Sequence, residues 1–177
     1  QLAAVLGAHH VLGGSCGINS FIARPGHIKH VLGGRMAIGE LDGHSSERTE
    51  WLQRALVQAG VKADIVTNVN TSLWTKFLIM APCSGLGAVT RAPVGVWRSV
   101  PETRQIAEQL MEEVVAVAQA RHIVLPEGAV RTAIDSLDRL PPNATASMQR
   151  DIMEGRPSEL EYQNGAVVRM GQENSVD

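Results

Sequence analysis

The sequence predicts an α+β chain in two parts, short strands with a hairpin over residues 1–65 and an all-helical domain over 66–177. Two observations lead there. Residues 11–40 alternate short β-branched runs with glycines and the turn pair Pro25-Gly26, which is strand punctuation. From Ser46 onward apolar residues return at intervals of three and four, the spacing of a helix with one buried face.

In chain order, residues 11–19 read as a strand, Pro25-Gly26 as a turn, and 27–32 and 35–40 as two further strands. Gly33-Gly34 between the last two fits a two-residue hairpin turn, because both glycines accept positive φ. After Ser46, Glu47 and Glu50 lie at the favourable end of a helix dipole, and Trp51, Leu52, Ala55, Leu56 and Ala59 share one side. Gly60 supplies the stop. Helices are then expected over 68–80 with an irregular continuation to 90, and over 101–121, 127–137, 145–154 and 158–170. The helix from Pro101 is the clearest: proline suits a first turn, and Ile106, Leu110, Val114, Val117 and Ala118 form a stripe opposite Glu108, Glu112 and Gln119. Pro82 should kink or end its helix, since it lacks a donor and collides with the carbonyl four residues back. Such a kink would re-aim side chains near a cleft; alternatively Pro82, Gly85 and Gly87 mark only the end of one helix and a close approach to the next.

Composition removes several function classes. A net charge of −2, with 16 basic and 18 acidic residues and no long run of either sign, gives no electrostatic footprint for nucleic acid or an anionic membrane. No apolar run approaches the ~20 residues that span a bilayer, and the start lacks the pattern of a secretion signal. Cys16 and Cys83 are far apart without metal-ligand spacing, which fits reduced thiols in a cytoplasmic protein. The histidines show no metal-binding spacing, so no metal is implied, and no Gly-x-Gly-x-x-Gly cradle for a nucleotide phosphate is encoded. The first residue is Gln, which suggests an excerpt of a longer chain.

Lys76 is the most informative residue. It stands inside the apolar stretch Leu73-Trp74-Thr75-Lys76-Phe77-Leu78-Ile79-Met80, where an ammonium either runs out to water over its methylenes or serves a site that uses its proton. Burial would move its pKa toward a useful range. A second polar cluster, Ser147-Met148-Gln149-Arg150-Asp151, is followed by Glu159. Ser158-x-x-Glu161 matches a capping box, which puts Glu159 at a helix start where the dipole stabilises its anion. Ser147 reads as a residue that satisfies a backbone N–H at a helix start; no base stands beside it for a nucleophile.

Trp74-Thr75-Lys76-Phe77-Leu78, Arg91-Ala92-Pro93, Ser147-Met148-Gln149-Arg150-Asp151, Glu159 and Glu161-Tyr162-Gln163-Asn164-Gly165-Ala166-Val167 together resemble the ketopantoate reductase (2-dehydropantoate 2-reductase) family. Ile38-Gly39-Glu40-Leu41-Asp42-Gly43 is similar to that family's hairpin at the end of its nucleotide-binding domain. The resemblance implies that 1–65 is the end of a Rossmann-type domain and 66–177 a helical domain like the C-terminal domain of 6-phosphogluconate dehydrogenase. It implies NADPH-dependent reduction of a 2-keto acid in pantothenate biosynthesis, with the glycine fingerprint upstream of Gln1. Lys76 would be the general acid, Ser147 a substrate contact and Glu159 a cofactor contact. The family's two substrate-binding asparagines, four and eight residues after the lysine, are replaced here by Met80 and Ser84. Met offers no donor and Ser a shorter reach, which implies a less polar 2-keto acid.

Such a fragment would not catalyse alone, and an apolar cleft surface exposed on it would draw two copies into a homodimer. Two alternatives stay open: a noncatalytic interaction or dimerisation module on the same scaffold, and a related dehydrogenase of another 2-keto or 3-hydroxy acid.

Overall fold

The structure, a computed structural model, describes residues 2–176, the side chain of Leu32 excepted. Gln1, on which the expectation of a longer chain rests, and Asp177 lie outside the described residues. The chain divides into two compact units, one up to Leu73 and one from Trp74. No helix is long and apolar enough to cross a membrane among the described residues.

The first unit holds α1 (Leu2–Leu6), a 3₁₀ turn (Ala8–His10), β1 (Leu12–Arg24), β2 (His27–Glu40), α2 (Glu47–Gln58) and β3 (Lys62–Ile65). The strands form one sheet in the order β1-β2-β3. β1 and β2 are antiparallel from Leu12↔Glu40 to Arg24↔His27, turning at Pro25-Gly26, whereas β3 joins β2 in parallel, Arg35↔Lys62 to Ile38↔Ile65. Gly33-Gly34 corrects the expectation of a hairpin: β2 runs straight through it. Gly17 faces Arg35 and Ile18 faces Gly33, so Gly34 is the extra residue of a β-bulge. Both glycines do adopt positive φ, 89° and 117°, and a Cβ on Gly33 would lie 2.0 Å from the Gly17 carbonyl oxygen. Glycine is required there for a bulge, not for a turn. β3 is a strand the sequence did not announce, because four residues reading Lys-Ala-Asp-Ile carry no period; pairing with β2 creates it.

Ser46 caps α2: its hydroxyl accepts the Thr49 N–H at 3.3 Å, and Thr49 Oγ1 accepts the Ser46 N–H at 3.2 Å. The inward side is rotated from the expected one, for Thr49 is buried and Trp51 is 65% exposed. Ile38, Ala63 and Val69 form the buried apolar centre of this unit. Gly13 fits over it only as glycine, since a Cβ there would meet Val69 at 2.5 Å.

Glu40, at the end of β2, is buried, and its carboxylate accepts from Arg48 Nε at 2.6 Å and from Ser46 Oγ at 2.5 Å. The Arg48 guanidinium, helped by the Ser46 hydroxyl, holds this carboxyl down from its ordinary 4.5 to about 2. A carboxyl depressed on folding stabilises the folded state above its unfolded pKa and loses that contribution as pH falls through the folded value. Denaturant unfolding should therefore show stability level above pH 4.5 and falling toward pH 2, and Glu40→Gln should flatten that fall.

The second unit contains the rest of α3 (Val69–Thr90), then α4 (Val94–Trp97), α5 (Pro101–Ala120), α6 (Ala129–Asp138), α7 (Ser147–Met153) and α8 (Asn164–Glu173). Leu78, Leu86, Val94, Trp97, Ala107, Met111, Val114, Ala133, Ile134 and Leu137 are its core. α5 starts at Pro101 as its sequence predicts, but its buried face is turned toward Ala107 and Met111, leaving Ile106 43% exposed. α3 does not end at Pro82. The prolyl ring is fully buried in an apolar segment, and that burial offsets the roughly 3 kcal/mol that an interior proline costs.

The expected helix over 158–170 begins only at Asn164. Ser158 does not cap it, and Glu159 is no helix-start carboxylate; the Glu159 carbonyl instead accepts from the N–H groups of Tyr162 at 2.9 Å and Gln163 at 2.8 Å in a turn. Leu160 and Tyr162 are 41% and 67% exposed, so a first helical turn there would have no apolar face to bury.

Candidate active site

α3 positions Lys76. Its neighbours Trp74 and Phe77 turn inward and meet edge to face, ring centroids 5.7 Å apart, beside the core. Lys76 and Met80, one turn apart, are exposed, so the lysine reaches solvent, the first of the two courses its apolar neighbours leave open. Ser84, one turn further, is 1% exposed, and its hydroxyl has no hydrogen-bond partner among the described residues.

Gly87 follows Lys76 by eleven residues, which in an α-helix is about 16 Å along the axis and only ~20° around it. The face that is open at Lys76 and Met80 is thus closed at Gly87, where α7 packs: a Cβ on Gly87 would stand 2.4 Å from Gln149 Oε1. Gln149 is 2% exposed, donates from Nε2 to the Ala92 carbonyl at 2.9 Å and accepts the Ala146 N–H at 3.3 Å. Its neighbour Ser147, the first residue of α7, is exposed. The structure therefore brings the start of the Ser147 helix to the face of α3 that carries Lys76.

α8 is anchored elsewhere on α3. Asn164 donates from Nδ2 to the Ala81 carbonyl at 3.1 Å, and a Cβ on Gly85 would lie 2.6 Å from that nitrogen. Ala81 and Gly85 are turned from Lys76 by about 140° and 180° around the helix. Glu159 precedes this anchor in the turn; it is exposed, and Oε2 accepts from Gln163 Nε2 at 3.3 Å. Lys76, Met80, Ser84, Ser147 and Glu159 thus belong to one unit, with Ser147's helix on the lysine face and Glu159's anchor on another.

Other groups offer less chemistry. Burial pushes the Cys83 thiol up to about 12, so it stays protonated at neutral pH and is no nucleophile. Among the described residues no three His, Cys, Asp or Glu side chains come together as a metal site. A cavity of 630 Å³ lies apart from these residues, between the end of α5 and the start of α6, lined by Val115, Ile123 and Leu125 among others. A dinucleotide would find an exposed carboxylate at Glu159, suited to a hydroxyl or carboxamide. α2 opens with Glu47 and Glu50, which repel a phosphate from its N-terminus.

The class of protein follows from comparison of the fold. The chain is similar to the crystal structure of 2-dehydropantoate 2-reductase from Geobacter metallireducens GS-15, with a TM-score of 0.89 and 27% identity over 99% of this chain and 59% of that one. The Methylococcus capsulatus 2-dehydropantoate 2-reductase gives 0.83 and 30%, over 94% and 53%. The family model described as Ketopantoate reductase PanE/ApbA C terminal matches residues 68–177, and the chain belongs to that family. Among curated relatives, the 2-dehydropantoate 2-reductase of a Nostoc species is 29% identical over the whole chain. The chain spans 57% of the length of that relative.

Proposed function

We propose that this chain is the proton-donating and substrate-binding part of an NADPH-dependent 2-keto acid reductase of the ketopantoate reductase kind, acting in the cytoplasm. Residues 1–65 are the end of its Rossmann-type nucleotide-binding domain and 66–177 its helical catalytic domain, and two copies pair as a homodimer. The observation that carries this reading is the exposed lysine on the one face of α3 that the start of α7 borders. NADPH, when bound, supplies the hydride to the carbonyl carbon. Lys76 Nζ gives its proton to the carbonyl oxygen as the C=O bond becomes an alcohol C–O, and its charge stabilises the alkoxide as it develops. Water then reprotonates the amine. Ser147 Oγ hydrogen-bonds the substrate, Glu159 accepts from the cofactor's hydroxyl or carboxamide, and Ser84 shapes the wall behind Met80.

Met80 sets the preference in this reading. Its thioether lies one turn from Lys76 and has no donor for a substrate hydroxyl. In the full-length protein, NADPH oxidation should be faster with a 2-keto acid bearing an apolar branch than with ketopantoate. Met80→Asn should shift the ratio of kcat/KM values toward ketopantoate by roughly tenfold or more. A clear ketopantoate preference in the unaltered protein rejects the apolar assignment.

A further inference from the structure

We infer that Gln149 is a positioning residue, which fixes Ser147 at the lysine face of α3 by tying the start of α7 to the α3–α4 connection. The inference rests on the reading of Ser147 as a substrate contact. α7 is a seven-residue helix, too short to hold its own direction, and its first residue carries the hydroxyl. Four contacts converge on the buried Gln149 amide. Nε2 donates to the Ala92 carbonyl at 2.9 Å and lies 3.8 Å from Met153 Sδ; Oε1 accepts the Ala146 N–H at 3.3 Å; and Gly87 leaves the space that the amide fills.

Each contact has a consequence for Ser147. The bond to Ala146 fixes the residue immediately before the serine, so the hydroxyl starts from a defined backbone position. The bond to Ala92 reaches across 57 residues to the loop that ends α3, and so locks that position to the helix bearing Lys76. Ala146 has no side-chain acceptor of its own; the Gln149 side chain takes the Ala146 N–H, while Arg150 holds the preceding Thr145 through its carbonyl and hydroxyl. An amide with both ends engaged and almost no exposure is costly to place unless satisfied, and here it is satisfied only in this arrangement.

Removing the two hydrogen bonds while keeping the volume separates positioning from packing. In the full-length protein, Gln149→Met should raise KM for the 2-keto acid about tenfold and leave KM for NADPH unchanged. Gly87→Ala, which drives a methyl into Oε1 from the other side, should do the same and serves if the first variant folds poorly. The decisive arm is the Ser147→Ala background, where Gln149→Met should add nothing further to KM. Equal multiplication of KM in both backgrounds would overturn the inference while leaving Ser147 a substrate contact. A Ser147→Ala protein with unchanged KM would instead remove the reading on which it rests, and the inference with it.

Discussion

Lys76→Ala should lower kcat for NADPH-dependent reduction of a 2-keto acid by the full-length protein at least a hundredfold, with KM for NADPH little altered. A positioned general acid is worth about 10²–10⁴ in rate, and alanine removes both the proton and the charge that meets the developing alkoxide. Because Lys76 is exposed on α3 and outside the core, the substitution should not unfold the helical unit. Its melting temperature is the control. Lys76→Arg sharpens the test, since a guanidinium keeps the positive charge but does not give up a proton near neutral pH. Arginine should restore substrate binding in part and turnover hardly at all. A noncatalytic interaction module would show no dependence on this residue.

Trp97→Ala should destabilise the helical unit by about 3–5 kcal/mol, the range for emptying a large aromatic site in a core. The indole is 3% exposed and sits on α4, a four-residue helix that has no independent stability. α4 is held by two backbone bonds, Val94 N–H to the Ala144 carbonyl at 2.9 Å and Gly95 N–H to the Pro142 carbonyl at 2.8 Å. Pro142 stands so close that a Cβ on Gly95 would lie 2.6 Å from its own Cβ. Arg98, the residue after Trp97, donates to the Leu137 and Leu140 carbonyls at 2.6 and 2.9 Å and so closes the end of α6. The tryptophan thus fills the core from an element that these bonds fix in place. For a unit of roughly 100 residues the loss should appear as a drop of more than ~10 °C in Tm.

Strong local signals were legible in the sequence, and tertiary ones were not. Ser46, Pro101 and Gly60 placed their helix ends because a cap, a first-turn proline and a left-handed glycine act within a few residues. β3 and α4 left no trace, since each is four residues long and exists by virtue of its partners. Gly33-Gly34 shows the limit clearly: the positive φ could be read, while its use in a bulge depended on the register of β1. At the site, residue type alone did not reveal exposure. The apolar neighbours of Lys76 in sequence left two courses open for its ammonium, and the helix settles it because those neighbours face other directions around α3. Gln149 was passed over inside a polar cluster; the cue for it was Gly87, whose close approach to another helix the sequence did suggest.

The central claim, that the amine of Lys76 is the proton donor, is tested most directly by returning an amine to a protein that lacks it. With Lys76→Ala in the full-length protein, turnover of a 2-keto acid and NADPH should rise in proportion to added methylammonium, and rise less with bulkier alkylammonium ions. An alanine variant that turns over at the parent rate with no amine present would contradict the account.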